Sequence, residues 1–298
     1  MAEMVRTKNV GLRGITVADT KISFIDGEKG ILIYRGYRIE ELAANSTYLE
    51  TAYLLLNGRL PSRSALREFE QEIIAARELP DYVYESYKRC PKDADPMDVL
   101  QATVPLFAMS DPDVSGESRE ANERIAKRLI ARLPVAMAAW HRIRQGLEPL
   151  KSDEKLSHAA NFFWLLHGRR PDEDVARDLD VCLILHADHT FNASTFACRE
   201  VVSTRAHMYA GVAAGVGALS GSLHGGANAR VMKMLLELES EKDLPQWVRR
   251  QMDSGQRIMG MGHAVYKTMD PRYRPKAEYV GNYCGLVGCS YEPLAGRG

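Results

Sequence analysis

Eight histidines are spread along the 298 residues, and three local settings place them where they can do chemistry. In LSGSLHGGANARVM, His224 is followed by Gly225, Gly226 and a helical pattern. A ring there would sit beside the unsatisfied backbone N–H groups of a helix start. The positive end of the helix dipole disfavours imidazolium, and a neutral ring can donate an N–H to a carbonyl oxygen gaining negative charge. The two glycines let backbone or ligand come close. The same pattern also suits a buried turn histidine with no chemistry.

The second setting is LILHADHTFNASTF, where His186 and His189 stand one helical turn apart at the end of an apolar helix. A metal pair is one reading and a structural helix end the other; single-helix zinc sites more usually use i, i+4 with a third ligand, so no metal is expected. The third is MGMGHAVYKTMDPR, in which Gly260, Gly262 and His263 form a loop able to approach a ligand. Lys267 and Arg272 add positive charge there, and an Arg fork can hold a carboxylate by two parallel hydrogen bonds.

The elements that must position these groups are mostly helical. KISFIDGEKGILIY reads as a hairpin, with two β-prone runs around Asp26 to Gly30. Thr47 and Glu50 have capping-box spacing ahead of a helix that Gly58 can end in a left-handed conformation. Pro61 and Ser62 open a helix with Leu66, Phe69, Ile73 and Ile74 on one face, and Asp95-Pro96 caps another. A long amphipathic run from Glu117 to Gln145 contains Pro134, which predicts a kink. In YAGVAAGVGAL, Gly211 and Gly215 share a helix face, for tight packing within the chain or for a subunit interface.

Composition narrows the function classes. A chain this long buries roughly 75% of its unfolded surface, enough for one large domain or a large and a small one. The 39 basic and 39 acidic residues cancel without long blocks of one sign, so neither nucleic acid nor an anionic membrane is an expected partner. Five cysteines, an odd number, point to a reduced cytoplasmic setting, with Cys90, Cys182 and Cys198 as small buried hydrophobes. The charged opening residues do not read as a secretory signal, and the most apolar window is too short to span a bilayer.

The ordered motifs GLRGITVADTKISFIDGEKGILIYRGYRIEELA, LLLNGRLP, LSHAANF, LILHADHTFNASTFA, LHGGAN and MGMGHAVYKTMDPR make the chain resemble citrate synthase from about residue 10 to 272. The likeness is closest to the shorter prokaryote-type members, which include 2-methylcitrate synthases. It implies a mainly α, multi-helical fold with a short N-terminal hairpin. It also implies a homodimer that condenses acetyl-CoA with oxaloacetate to citrate and CoA, with acetyl-CoA as substrate and no cofactor. By resemblance, His224 holds the thioester oxygen of acetyl-CoA, and His263 binds oxaloacetate and protonates its keto oxygen. His189 and Arg272 bind oxaloacetate, and Arg257, Met261, Gly262 and Lys267 lie toward CoA.

One part of the family's pattern is missing. The catalytic base of the family is an Asp in a PNVDFYSG-like segment after the DPR motif, a region that also brings two further arginines to oxaloacetate. Here Asp270-Pro271-Arg272 runs directly into a stretch resembling the family's C-terminal tail. A large helical domain is expected over residues 1–225, a truncated small domain over 226–275 and a tail over 276–298. A positioned base is worth about 10²- to 10⁴-fold in rate, so activity is expected to be crippled. The alternatives are 2-methylcitrate synthesis and a catalytically silent helical dimer.

Overall fold

The computed structural model describes residues 17–222, 224–238, 243–256, 258 and 265–273. Strands β1 (Ser23–Asp26) and β2 (Ile31–Tyr34) pair antiparallel, Ser23 opposite Tyr34 and Asp26 opposite Ile31. Asp26 Oδ1 accepts the backbone N–H groups of Glu28 and Lys29 at 3.1 and 3.0 Å, and Gly30 supplies the positive φ that closes the turn. A third strand, β3 (Tyr37–Arg38), goes beyond the expected hairpin. It arises because Arg35 and Gly36 both have positive φ, 49° and 96°, the requirement of a type I′ turn.

Twelve helices follow among the described residues. They are α1 (Ile39–Asn45), α2 (Tyr48–Asn57), α3 (Arg63–Ala75), α4 (Asp81–Arg89), α5 (Pro96–Ala108) and α6 (Arg119–Arg144). Next come α7 (His158–His167), α8 (Glu173–His186), α9 (Ala193–Ser203), α10 (Met208–Ser220), α11 (Ala227–Leu238) and α12 (Leu244–Asp253). The expected starts hold: Thr47, Ser62 and Asp95 accept the N–H groups of Glu50, Ala65 and Met97, and Gly58 ends α2 at φ 79°. Helix α6 continues through Pro134; burial of Val135, Ala136, Ala138 and Ala139 on its far side offsets the lost backbone bond.

Alternation in β2 turns Leu32 and Tyr34 fully inward, onto Ile39, Leu42, Leu54 and the Val181, Ile184 and Leu185 face of α8. The larger core joins α4, α5, α6, α7 and α10 around Tyr87, Phe107, Trp140 and Tyr209. A third cluster packs α2 and α3 on Ala131 of α6. The glycine stripe of α10 is spent inside the chain. A Cβ on Gly211 would come 2.5 Å from Val202 Cγ1 and 3.0 Å from Cys198 O, and one on Gly215 3.2 Å from Ser194 O, all on α9. On another side of α10, a Cβ on Gly217 would meet the Gln101 amide of α5 at 2.5 Å.

Cys90, Cys182 and Cys198 are half-buried rather than the buried hydrophobes expected. Helices α11 and α12 leave Met232, Leu235, Leu236, Leu244, Val248 and Met252 exposed. Among the described residues no helix is long and apolar enough to cross a membrane.

Candidate active site

The N-terminal hairpin is the joint of the site. Its turn receives the segment after His263: the Lys267 N–H donates to Gly27 O at 2.9 Å. A Cβ on Gly27 would lie 2.3 Å from Val265 O, and one on Gly30 2.7 Å from Met269 O, so the glycines exist for backbone approach. The end of β2 receives the link between α8 and α9. The Tyr34 hydroxyl donates to Asp188 O at 2.7 Å and accepts the Asp188 N–H at 3.1 Å. Asp188 Oδ2 takes the Ser23 hydroxyl and, at 2.9 Å, the N–H of Thr190, which sits at φ 54°. Burial pushes the Tyr34 phenol well above its ordinary range, so it stays protonated.

This joint brings His189 and Arg272 together. His189 Nε2 lies 3.1 Å from the Tyr266 hydroxyl, and their rings meet edge-on with centroids 5.6 Å apart. Burial raises the Tyr266 phenol to about 12, so at neutral pH it keeps its proton and can either donate to His189 Nε2 or accept from it. Arg272 lies over the Tyr266 ring, 5.9 Å from its centroid. Its guanidinium grips Asp270 at 2.9 and 2.6 Å; burial works against its charge, but the Asp270 bonds outweigh that and raise its pKa. Lys267 is exposed and contributes its backbone.

His224 occupies a helix start, but not the expected one. Its Nε2 is 2.9 Å from Ser194 Oγ and 3.3 Å from Ser194 N, at the first turn of α9 rather than of α11, which follows it in sequence. A backbone N–H can only donate, so this contact selects the ring form with a lone pair on Nε2 and the proton on Nδ1. Asn192 caps α9, accepting the Thr195 N–H at 2.9 Å and lying 2.7 Å from Ser194 Oγ. The glycines after His224 serve packing: Cβ atoms there would strike Leu219 Cδ1 at 2.5 Å and Ser220 O at 2.6 Å. The His224 N–H donates to Gly221 O at 2.9 Å, folding the turn back onto α10.

The link between α8 and α9 therefore carries both groups, His189 at one end and the His224-binding turn at the other. The other expected site residues, Arg257, Met261, Gly262 and His263, lie outside the described residues, as does the tail. His186 ends α8, with Nδ1 2.7 Å from Cys182 O. No group of three or more His, Cys, Asp or Glu among the described residues is placed to hold a metal. Sequence reading missed Ser194, Asp188, Tyr34 and Tyr266. The cap at Asn192 was the available signal for the first, and Tyr266 stood inside HAVYKT.

The family model for citrate synthase, C-terminal domain, matches residues 11–290. Citrate synthase from Haloferax volcanii is 42% identical over 283 residues, covering 92% of this chain and 75% of the relative. The chain belongs to the citrate synthase family. A crystal structure of citrate synthase from Pyrobaculum aerophilum superposes with a TM-score of 0.87 at 40% identity, covering 93% of this chain and 71% of that one. The Thermoplasma acidophilum citrate synthase, solved as a ternary complex with carboxymethyl coenzyme A and oxaloacetate, gives 0.78 at 27% identity, covering 92% and 79%. Citrate synthase family members are transferases of this helical fold, so the chain is an enzyme of the acyltransferase kind.

Proposed function

We propose that this citrate synthase family enzyme binds oxaloacetate between His189 and Arg272 and presents His224 Nδ1–H to the thioester oxygen of acetyl-CoA. The contact between Ser194 N–H and His224 Nε2 carries this reading, because it leaves Nδ1–H as the ring's donor. Loss of a methyl proton to solvent water, which stands in for the missing carboxylate base, gives an enolate whose oxygen accepts the hydrogen bond of His224 Nδ1–H. Its carbon attacks the keto carbon of oxaloacetate, whose oxygen takes a proton from His263. Water then cleaves the citryl thioester to citrate and CoA.

The rate is proposed to be crippled. The chain runs from Arg272 into its tail without the family's Asp-bearing block, and it spans only 75% of the Haloferax relative. Losing a positioned base costs about 10²- to 10⁴-fold. The domain division at residues 225 and 275 rests on the same ground, and the exposed apolar side chains of α11 and α12 support it. A cytoplasmic homodimer is proposed as well, supported by the free thiols of Cys90 and Cys198 and by α9, which has no fully buried residue although α10 packs along it.

Thiol release from acetyl-CoA on adding oxaloacetate tests the chemistry, with calorimetry for oxaloacetate binding. A slow rate, at least 10²-fold below the roughly 10 s⁻¹ typical of enzymes and abolished by His224→Ala, is expected. A rate indifferent to His224→Ala, or no binding of oxaloacetate, overturns the assignment. A single species of 33.3 kDa in sedimentation overturns the dimer.

A further inference from the structure

Away from the site, a cavity of about 190 Å³ opens between α4, α5, α6 and α7. Its walls are Tyr87, Leu100, Met137, Trp140, Phe162 and Leu166. Two polar side chains, His141 and Arg144, also line it, both from the last turn of α6. Basic groups at a helix C-terminus are ordinarily explained by the helix dipole and the terminal carbonyls. Arg142 fits that explanation, its Nε donating to Glu148 O at 2.7 Å. Arg144 shares that helix end and in addition lies 5.8 Å from the Trp140 ring centroid, with Lys92 Nζ 6.0 Å from the same centroid.

No carboxylate pairs with Arg144, His141 or Lys92 among the described residues. His141 is pushed toward its neutral form by burial and then by the positive charge of His167, Arg144 and Arg142. Trp140 adds an independent sign. It is 3% exposed, and its buried indole N–H meets no acceptor among the described residues. A buried donor without a partner costs free energy that an incoming acceptor would recover.

We propose that this cavity is a binding site for a small arylalkanoate, its ring seated among Tyr87, Trp140 and Phe162 and its carboxylate met by Arg144 and His141. Three aromatic walls favour an aryl body over an alkyl chain through offset and edge contacts. The volume exceeds that of an apolar cavity known to take benzene, leaving room for a short acid arm. A fork of N–H donors and an imidazole suit a carboxylate, and the cation-rich rim draws an anion in.

The probe is 3-phenylpropionate, titrated into the full chain by calorimetry and by the histidine ring resonances. A Kd of about 1 mM or tighter is expected for a ligand of this size, with the His141 titration midpoint moving upward on saturation. The Arg144→Gln variant should weaken the acid about tenfold, as loss of a charged hydrogen bond does, while binding of neutral 3-phenylpropionamide is unchanged. Met137→Phe, a change at a 46% exposed position on the cavity wall, should block both ligands while leaving thermal unfolding in place. Absence of binding at 10-fold the expected Kd, indifference to Arg144→Gln, or displacement of the probe by oxaloacetate or CoA overturns the proposal.

Discussion

His224 Nε2 lies 2.9 Å from the hydroxyl of Ser194, so the ring is set by the first turn of α9 although it precedes α11 in the chain. The backbone N–H of Ser194 donates to that same ring nitrogen, while its hydroxyl hydrogen is directed to Asn192 Oδ1 at 2.7 Å. A helix start can fix a tautomer as well as bind an anion, because its free N–H groups cannot reverse their polarity.

Nitrogen NMR of the histidine rings should show His224 with its proton on Nδ1. Ser194→Ala removes the hydroxyl but keeps the 3.3 Å backbone contact, so the Nδ1–H form should remain the major one with a detectable Nε2–H fraction. A dominant Nε2–H signal in the unmodified protein would mean that the ring donates to Ser194, and the reading of the site would fail.

Tyr34→Phe leaves the backbone N–H and C=O of Asp188 without the phenol that now serves both. Urea denaturation should show a loss of about 1–3 kcal/mol, the range for orphaned buried groups. Oxaloacetate binding should weaken in parallel, since Asp188 is next to His189. Unchanged stability would show that water replaces the phenol and that the joint is not held by this pair.

Gly211→Ala drives a methyl to within 2.5 Å of Val202 and 3.0 Å of the Cys198 carbonyl. A net cost of about 1–3 kcal/mol is expected despite the better helix propensity of Ala. Because the clash lies inside one chain, the loss should be the same at all protein concentrations. A cost that vanishes on dilution would place Gly211 in a subunit interface instead.

Asp178 is 2% exposed, and both its carboxylate oxygens lack partners among the described residues; burial first, and the charge of Asp174 second, raise its pKa to about 6. An acid whose folded pKa is raised stabilises the fold fully only below its unfolded value near 3.8, and that stability is lost as pH rises through 6. Asp178→Asn should therefore gain up to about 3 kcal/mol over the unmodified chain at pH 7.5, shrinking toward zero below pH 4. His158, lowered by burial to about 4, acts oppositely, its stability fading as pH falls from 6.5 toward 4. The difference between variant and parent cancels that contribution. A gain that grows on acidification would contradict the buried-acid assignment.

Much of the helical framework was legible because it rests on local chemistry. Thr47, Ser62 and Asp95 satisfy N–H groups two or three positions ahead, and Gly58 takes a left-handed turn that few other residues tolerate. Helix α4 was missed: only Val83 and Tyr87 on it are fully buried, so its apolar signal is short. Strand β3 was missed because its two residues exist only by pairing with β2.

For the site, residue types and order alone determined that His189, His224 and Arg272 are the groups to watch, and the ordered motifs established the family. Tertiary structure decided what those groups face. Ser194 meets His224 across 30 positions, Tyr266 meets His189 across 77, and Tyr34 meets Asp188 across 154. No periodicity or cap encodes such separations; they follow from burying the inner face of β2 on α8 and seating backbone on Gly27 and Gly30. The dual use of the glycines shows the same limit: a missing Cβ is visible in sequence, but what fills its place depends on which chain segment the core draws close.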